Sequence, residues 1–170
     1  MRGWVWGALF AAVLAAPPAW AHRDPDLPPI DGPKHWHLLT QDDATSTSRC
    51  LGRPDTQLCA VETVQACFMR RTDEYCRYTP ELGRALKGPI QIRETLKYWV
   101  TAAERVPATG AHKIFVGNHA DPQPGDVIIA VDDVSCFDGR CGKRLDIPVG
   151  YLLRKTENGW RAVTWEAIRR

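Results

Sequence analysis

Residues 126–141, DVIIAVDDVSCFDGRC, decide the fold of this chain. A run rich in Val and Ile leads into Asp138-Gly139, a dipeptide that tolerates the positive φ angles of a type I′ hairpin turn. A second dipeptide of this kind, Asn158-Gly159, follows another apolar run. The pattern predicts a meander of three antiparallel strands over 126–136, 141–156 and 160–168.

The cysteines that flank the first turn are predicted to form a disulfide. In a two-residue hairpin closed by Asp138-Gly139, Cys136 and Cys141 occupy a non-hydrogen-bonded pair, whose Cα atoms lie about 4.5 Å apart. A disulfide spans that distance. Continued along the strands, the same register predicts that Asp132 lies opposite Leu145.

Apolar residues recur at helical spacing upstream of the meander. The period predicts a helix over 56–71, with Asp55 or Thr56 able to cap its first free amides. On this helix Glu62, Gln65 and Arg70 are predicted to face away from the apolar side. Shorter elements are predicted to follow it: a helix over 73–78, a helical turn or two over 80–88 and a short strand over 113–116.

Residues 90–106 fit both a helical and an alternating pattern. Ile, Thr, Tyr, Trp and Val cluster in this stretch, and these residue types favour strands. We therefore predict a long, twisted or bulged strand here. Helices followed by an antiparallel sheet predict an α+β protein, with N-terminal helices packed on a curved, cone-like sheet.

Six cysteines, with neither a CxxC motif nor zinc-ligand spacing, predict structural disulfides rather than metal or redox chemistry. Cys59 and Cys67 lie about 12 Å apart along one helix, so they cannot bond to each other. Besides the hairpin bridge, the favoured pairs are Cys67–Cys76 and Cys50–Cys59. A bridge from Cys50 to Cys76 remains open.

The order of an amphipathic helix, a short helix and a curved sheet resembles the nuclear-transport-factor-2-like superfamily, also called SnoaL-like or cystatin-like cone folds. The final strand, GWRAVTW at 159–165, matches the pattern of a last strand in that superfamily, and the similarity covers roughly 56–168. The resemblance implies a conical α+β fold whose open end commonly holds a small-molecule pocket. Its members include enzymes, binding proteins and adaptors, so fold alone does not choose a function.

Four polar side chains are predicted to line a mostly apolar concavity, which is the composition of a ligand pocket. Strand parity, followed from the first hairpin through the second turn, brings them to one face: Asp132, Tyr151, Thr164 and Glu166. A carboxylate desolvated there could act as a general acid or base. A single bulge would reverse the parity and exchange Asp132 with Asp133.

Histidines suggest a metal hypothesis. If the chain is cleaved after Ala21, the α-amino group and imidazole of His22 form a chelating pair, and His35 and His37 could complete a nitrogen-rich site suited to copper. The surrounding segment shows no periodicity, however, and no β-sandwich sequence follows. The sequence therefore predicts no cofactor.

The first residues indicate export. Arg2, an apolar run over 5–16 and Ala19-Trp20-Ala21 have the form of a signal peptide with a cleavage site. We expect a signal peptide over 1–21, a proline-rich arm or linker over 22–49 and a single α+β domain over 50–170. No other segment approaches the ~20 apolar residues of a spanning helix. A secreted protein is predicted, periplasmic if the source is a diderm bacterium.

A net charge of +2 gives no reason to expect nucleic acid or an anionic membrane as a partner. The predicted function is a non-catalytic binding module for a small apolar or amphipathic molecule or an envelope protein. One alternative is a lyase- or isomerase-type enzyme with Asp132 or Glu166 as base and Tyr151 as hydrogen-bond donor. Another is an envelope interaction protein acting through the proline-rich arm. The family resemblance also implies a homodimer through the outer sheet face, with Leu152, Val163 and Trp165 suited to that contact.

Overall fold

The computed structural model describes residues 24–44, 46–47, 49–79, 94–112, 114, 121–142 and 148–168. The elements in these ranges are β1 (His37–Thr40), α1 (Gln57–Arg70), α2 (Asp73–Cys76), β2 (Thr95–Arg105), β3 (Val127–Phe137), β4 (Arg140–Gly142), β5 (Val149–Thr156) and β6 (Gly159–Ala167). The α+β class is confirmed. The predicted signal peptide, the helical turn over 80–88 and nearly all of the strand over 113–116 lie outside the described residues.

The described strands form one curled antiparallel sheet in the order β1-β2-β3-β5-β6, with β4 paired to β3. Strand β3 lies at its centre and is buried on both faces. Ile129 and Val131 belong to the main core together with Val64 of α1. Ile128 points the other way and packs in a second, smaller cluster with Leu152. This double burial explains why β3 reads as a continuous apolar run rather than an alternating one.

The first hairpin forms as predicted. Asp138 and Gly139 have φ angles of 49° and 72°, both in the left-handed region that a type I′ turn requires. Cys136 and Cys141 are cross-strand partners, and their disulfide joins Cα atoms 4.0 Å apart. The turn residues and the disulfide therefore hold the same register.

The second hairpin turns one residue earlier than predicted. Thr156 pairs with Gly159, so Glu157 and Asn158 form the turn and Gly159 begins β6. Gly159 has a φ angle of 100°, whereas Asn158 stays out of the left-handed region. A glycine with positive φ directly after the turn is typical of a hairpin that ends in a glycine bulge.

The register between β3 and β5 differs from the prediction. Within the predicted strand over 141–156, the described residues form β4, which ends at Gly142, and β5, which begins at Val149. Val149 pairs with Val131 and Tyr151 pairs with Ile129. Tyr151 therefore lies on the face opposite to Ile128, with which it was expected to share a surface. Continued from the Cys136–Cys141 pair, the hairpin register would place Val131 opposite residue 146, whereas Val131 pairs with Val149.

Helix α1 is held at both ends. The Thr56 hydroxyl accepts a hydrogen bond from the Cys59 amide at 3.2 Å, which satisfies one free amide of the first turn and confirms Thr56 as the cap. At the other end Arg71 has a φ angle of 53°, and its amide donates to the Cys67 carbonyl at 2.9 Å. The two remaining bridges are the favoured ones, Cys50–Cys59 and Cys67–Cys76. Each of these two disulfides joins one end of α1 to an adjacent segment of the same chain.

The ambiguous segment is a strand. β2 runs from Thr95 to Arg105 with an irregularity between Val100 and Ala102, which confirms a long, bulged strand. Its free edge is covered by β1, which lies within the segment expected to be an arm. Leu39 of β1 is buried opposite Leu96. A strand of four residues is too short to show periodicity in the sequence.

Close backbone contact makes Gly159 intolerant of a side chain. A Cβ at Gly159 would lie 2.5 Å from the Pro54 carbonyl oxygen, and the φ angle of 100° is itself unfavourable for other residues. We expect Gly159→Ala to lower the free energy of unfolding by about 2–4 kcal/mol, measured by urea denaturation.

Gly139→Ala is the matched control. Gly139 also has positive φ, but no atom lies within 4 Å of the added Cβ. This variant should lose only about 1 kcal/mol. Equal losses in the two variants would show that contact with Pro54 contributes nothing.

Candidate functional site

Two polar side chains on α1 are buried against the sheet. Glu62 and Gln65, three positions apart, are 3% and 2% exposed. The Tyr98 hydroxyl of β2 donates to Glu62 Oε1, and the Gln65 side-chain amide donates to the Tyr151 hydroxyl of β5. The prediction that Glu62 and Gln65 face away from the apolar side and into solvent is wrong. Loop residues 50–53 also cover α1, as the Gly52 amide shows by donating to the Thr63 hydroxyl at 3.1 Å.

His37 extends this cluster toward the surface. Its ring stacks on Tyr98, with 5.0 Å between centroids and 19° between planes. Its Nδ1 lies 3.8 Å from Glu62 Oε1, and its Nε2 lies 3.3 Å from Asp31 Oδ2. Asp31, His37, Glu62 and Tyr98 therefore form a continuous chain of polar groups, which we call the inner polar cluster. It runs from the half-buried edge of the sheet into the core.

Burial keeps the Tyr98 phenol of the inner polar cluster protonated. Removal of Tyr98 from water, reinforced by the nearby Glu62 carboxylate, raises the pKa of Tyr98 well above its ordinary value. The phenol thus stays protonated and donates its hydrogen bond to Glu62. Such a pair can hold a proton at a defined position. Neither Glu62 nor Tyr98 is exposed enough to meet a solute without movement of the chain around it.

The four predicted pocket residues do not meet in one place. Tyr151 is buried beside Gln65 on the face that carries Ile129. Asp132 is half-buried and occupies the opposite face, where Thr164 also lies through its pairing with Leu152. Glu166 is a backbone partner of Gly150, and its side chain lies outside the described part of the structure. By register, Asp133 rather than Asp132 shares a face with Tyr98.

The predicted dimer face is also divided. Leu152 is fully buried within the chain itself, and Val163 is half-buried beside it. Trp165 lies on the other face, where its ring meets Phe68 of α1 edge-on at 4.9 Å. These side chains therefore do not form one exposed surface.

The histidines predicted to bind copper are not brought together within the described residues. His22 lies outside them, His35 is exposed, and His37 contacts Asp31 and Glu62. In the described part of the chain, no group of three His, Cys, Asp or Glu side chains could hold a metal ion. The copper hypothesis stays a prediction.

An open cleft of about 990 Å³ lies at the turn end of the second hairpin. Residues 52–55, 77–78 and 155–161 line it, and we call it the hairpin cleft. Trp160 and Pro54 provide buried apolar surface, and their backbones are joined by a hydrogen bond of 2.7 Å from the Trp160 amide to the Pro54 carbonyl. The cleft thus unites the loop before α1, the end of α2 and the second hairpin.

Cations outnumber carboxylates in this cleft. The lining contains four basic side chains, Arg53, Arg77, Lys155 and Arg161, and two acidic ones, Asp55 and Glu157. The Lys155 ammonium lies 5.4 Å from the centre of the Trp160 ring, and the Arg77 guanidinium lies 5.0 Å from that of Tyr78. The sequence alone does not indicate this site, because its three segments are distant in the chain. The Lys155–Trp160 pair across a turn was the one local signal of it.

Neither helix in the described ranges has the length or apolar composition needed to cross a lipid bilayer. Comparison with protein-family models, with curated proteins and with solved structures finds no match for this chain. The geometry of the two polar regions is therefore the basis for a functional proposal.

The buried Tyr98 phenol should make stability fall at alkaline pH. Because its pKa is raised in the folded state, the unfolded chain releases the proton first. The free energy of unfolding should decline as pH rises above about 10, by up to about 1.4 kcal/mol per pH unit. Urea denaturation from pH 8 to 11.5 measures this, and Tyr98→Phe should remove most of the decline.

Two comparisons make this test specific. Glu62→Gln keeps an acceptor but removes the charge, so the decline should become shallower without disappearing. Burial also raises the pKa of Tyr75, which accounts for a smaller remaining slope in Tyr98→Phe. An unchanged alkaline decline in Tyr98→Phe would show that this phenol does not control it.

Proposed function

We propose that the protein is a non-catalytic binding module of the nuclear-transport-factor-2-like type, and that its small-molecule ligand occupies the hairpin cleft. The observation that carries the proposal is the cleft itself, which at about 990 Å³ is large enough for a drug-sized molecule. It combines the apolar surfaces of Trp160 and Pro54 with a charged rim. That combination suits an amphipathic molecule better than a purely apolar one.

The walls of the cleft are held in place before any ligand arrives. The Cys50–Cys59 disulfide and the hydrogen bond from Gly52 to Thr63 fix the 52–55 loop to α1. The Trp160–Pro54 hydrogen bond then fixes this loop to β6. A preformed site loses little conformational entropy on binding, which supports a role in binding.

The proposed place of action is outside the cytoplasm. Three disulfides indicate an oxidising environment. The signal-peptide pattern over 1–21 supports secretion, with the periplasm as the compartment in a diderm bacterium. The proposed partner is a ligand or an envelope protein that is present in that compartment.

An enzyme of the lyase or isomerase type is the second candidate, and the inner polar cluster is the observation that favours it. A buried carboxylate that contacts both a phenol and an imidazole is an arrangement used for general acid–base chemistry. In this version Glu62 takes the role that the sequence suggested for Asp132 or Glu166. Tyr98 replaces Tyr151 as the hydrogen-bond donor.

Native mass spectrometry tests the proposed function. The protein is exported with its own signal peptide and purified without detergent or chelator. We expect a chain beginning at His22 and lighter by six hydrogens than the reduced chain, two for each of the three disulfides. We also expect an additional, organic bound mass.

Two tryptophan variants locate that mass. Asn158→Trp adds bulk to the lining of the hairpin cleft and should abolish the bound mass. Arg140→Trp adds the same bulk at an exposed position of the first hairpin and should retain it. No bound mass, or retention in Asn158→Trp, would contradict the proposed site. Chemical conversion of the released molecule by fresh protein, abolished by Glu62→Gln, would favour the enzyme.

A further inference from the structure

We infer that the hairpin cleft selects organic anions, that is, molecules in which an anionic group adjoins a flat apolar body. The inference rests on the proposed function, which places a ligand in this cleft, and it specifies the chemical class of that ligand. Three observations support it: the charge balance of the lining, the placement of cations over aromatic rings, and the contrast with three ion-paired arginines elsewhere in the described chain.

The first support is the charge of the lining. Four cations against two carboxylates give an excess of two positive charges in a concave surface. Charge of one sign collected in a cleft raises the local concentration of counter-ions and of oppositely charged solutes. A cationic ligand would be repelled at the same place.

The second support is that three of the four cleft cations differ from three arginines elsewhere in the described chain that form ion pairs. Arg70, Arg105 and Arg154 contact Asp43, Asp24 and Asp126. Among the described residues, Arg53, Arg77 and Lys155 contact no carboxylate. Arg53 instead donates to the Arg49 carbonyl, and Arg77 donates to the Tyr78 hydroxyl. Their positive charge is therefore still available to a ligand.

The third support is the placement of charge beside flat apolar surface. Lys155 and Trp160 are cross-strand partners, so the sheet register sets their proximity. Arg77 and Tyr78 repeat the arrangement at the end of α2. Trp160 is only 7% exposed whereas Tyr78 is half-buried, so a planar ligand in the cleft meets Tyr78 more fully and comes close to the Arg77 guanidinium. A sulfonate, carboxylate or phosphate on such a ligand then interacts with the cation at short range.

A pair of fluorescent probes that differ by one charged group tests the inference. Anilinonaphthalene sulfonate carries the anion, and N-phenylnaphthylamine is its uncharged parent. Both become fluorescent on binding to apolar sites, so titration gives two dissociation constants for one protein. We expect the sulfonate to bind at least roughly tenfold more tightly than the parent. Added salt should weaken the binding of the sulfonate alone.

Single-residue variants assign the selectivity to the cleft. Lys155→Met and Arg77→Met retain an apolar side chain over the rings but remove the charge. Each should weaken sulfonate binding several-fold and leave parent binding unchanged. Lys97→Met is the matched control, because the Lys97 ammonium lies 4.7 Å from the Trp36 ring centre, outside the cleft lining. It should change neither constant.

The outcomes separate the inference from the function on which it rests. Equal affinities for the two probes, or equal effects of Lys97→Met and Lys155→Met, would overturn the anion selectivity while leaving a binding cleft. If Asn158→Trp changed neither titration, neither probe would bind in the cleft. That result would overturn the proposed function as well. Selective loss of sulfonate binding in the two cleft variants would establish the ligand class.

Discussion

Burial of β3 on both faces is the constraint on which the rest of the structure depends. One face belongs to the main core, which also contains side chains of α1, and the other belongs to a smaller cluster, so water is excluded from the middle of the sheet on both sides. Burial of each Val or Ile side chain stabilises the fold by about 1.5–3 kcal/mol. Strands β2 and β5 are positioned by pairing with β3, and the edge strands β1 and β6 are positioned by pairing with them.

The disulfides act on this arrangement locally. All three close short loops, with sequence separations of 9, 9 and 5 residues. In the chain-entropy account, loops of this size stabilise the folded state by roughly 2–3 kcal/mol each. Two of them secure the ends of α1 and the third secures the first hairpin. The disulfides thus hold the ends of α1 and of the first hairpin, while the hydrophobic core holds their central residues.

The polar groups of the molecule are divided between two environments. In the inner polar cluster, Glu62 and Tyr98 satisfy each other in the core, and His37 continues the chain of contacts toward the edge strand. In the hairpin cleft, cations lie over aromatic rings beside open space. The cluster has the chemistry of an acid–base site but not the access, while the cleft has the access. For this reason the cleft is the better candidate for ligand binding.

The sequence by itself determined the elements that depend on neighbouring residues. The cap of α1 was narrowed to Asp55 or Thr56, the turn of the first hairpin to Asp138-Gly139, and the favoured cysteine pairs are the ones that form. Each of these depends on geometry within a few residues. Only the tertiary structure decided which face each strand presents. The register of β3 with β5 differs from that of the first hairpin, and a strand buried on both faces has no alternation that would reveal the difference in the sequence. The candidate site also depended on tertiary structure. Residues 52–55, 77–78 and 155–161 are distant in the chain and meet only in the folded protein, and Glu62 is buried because it lies against Tyr98 of β2.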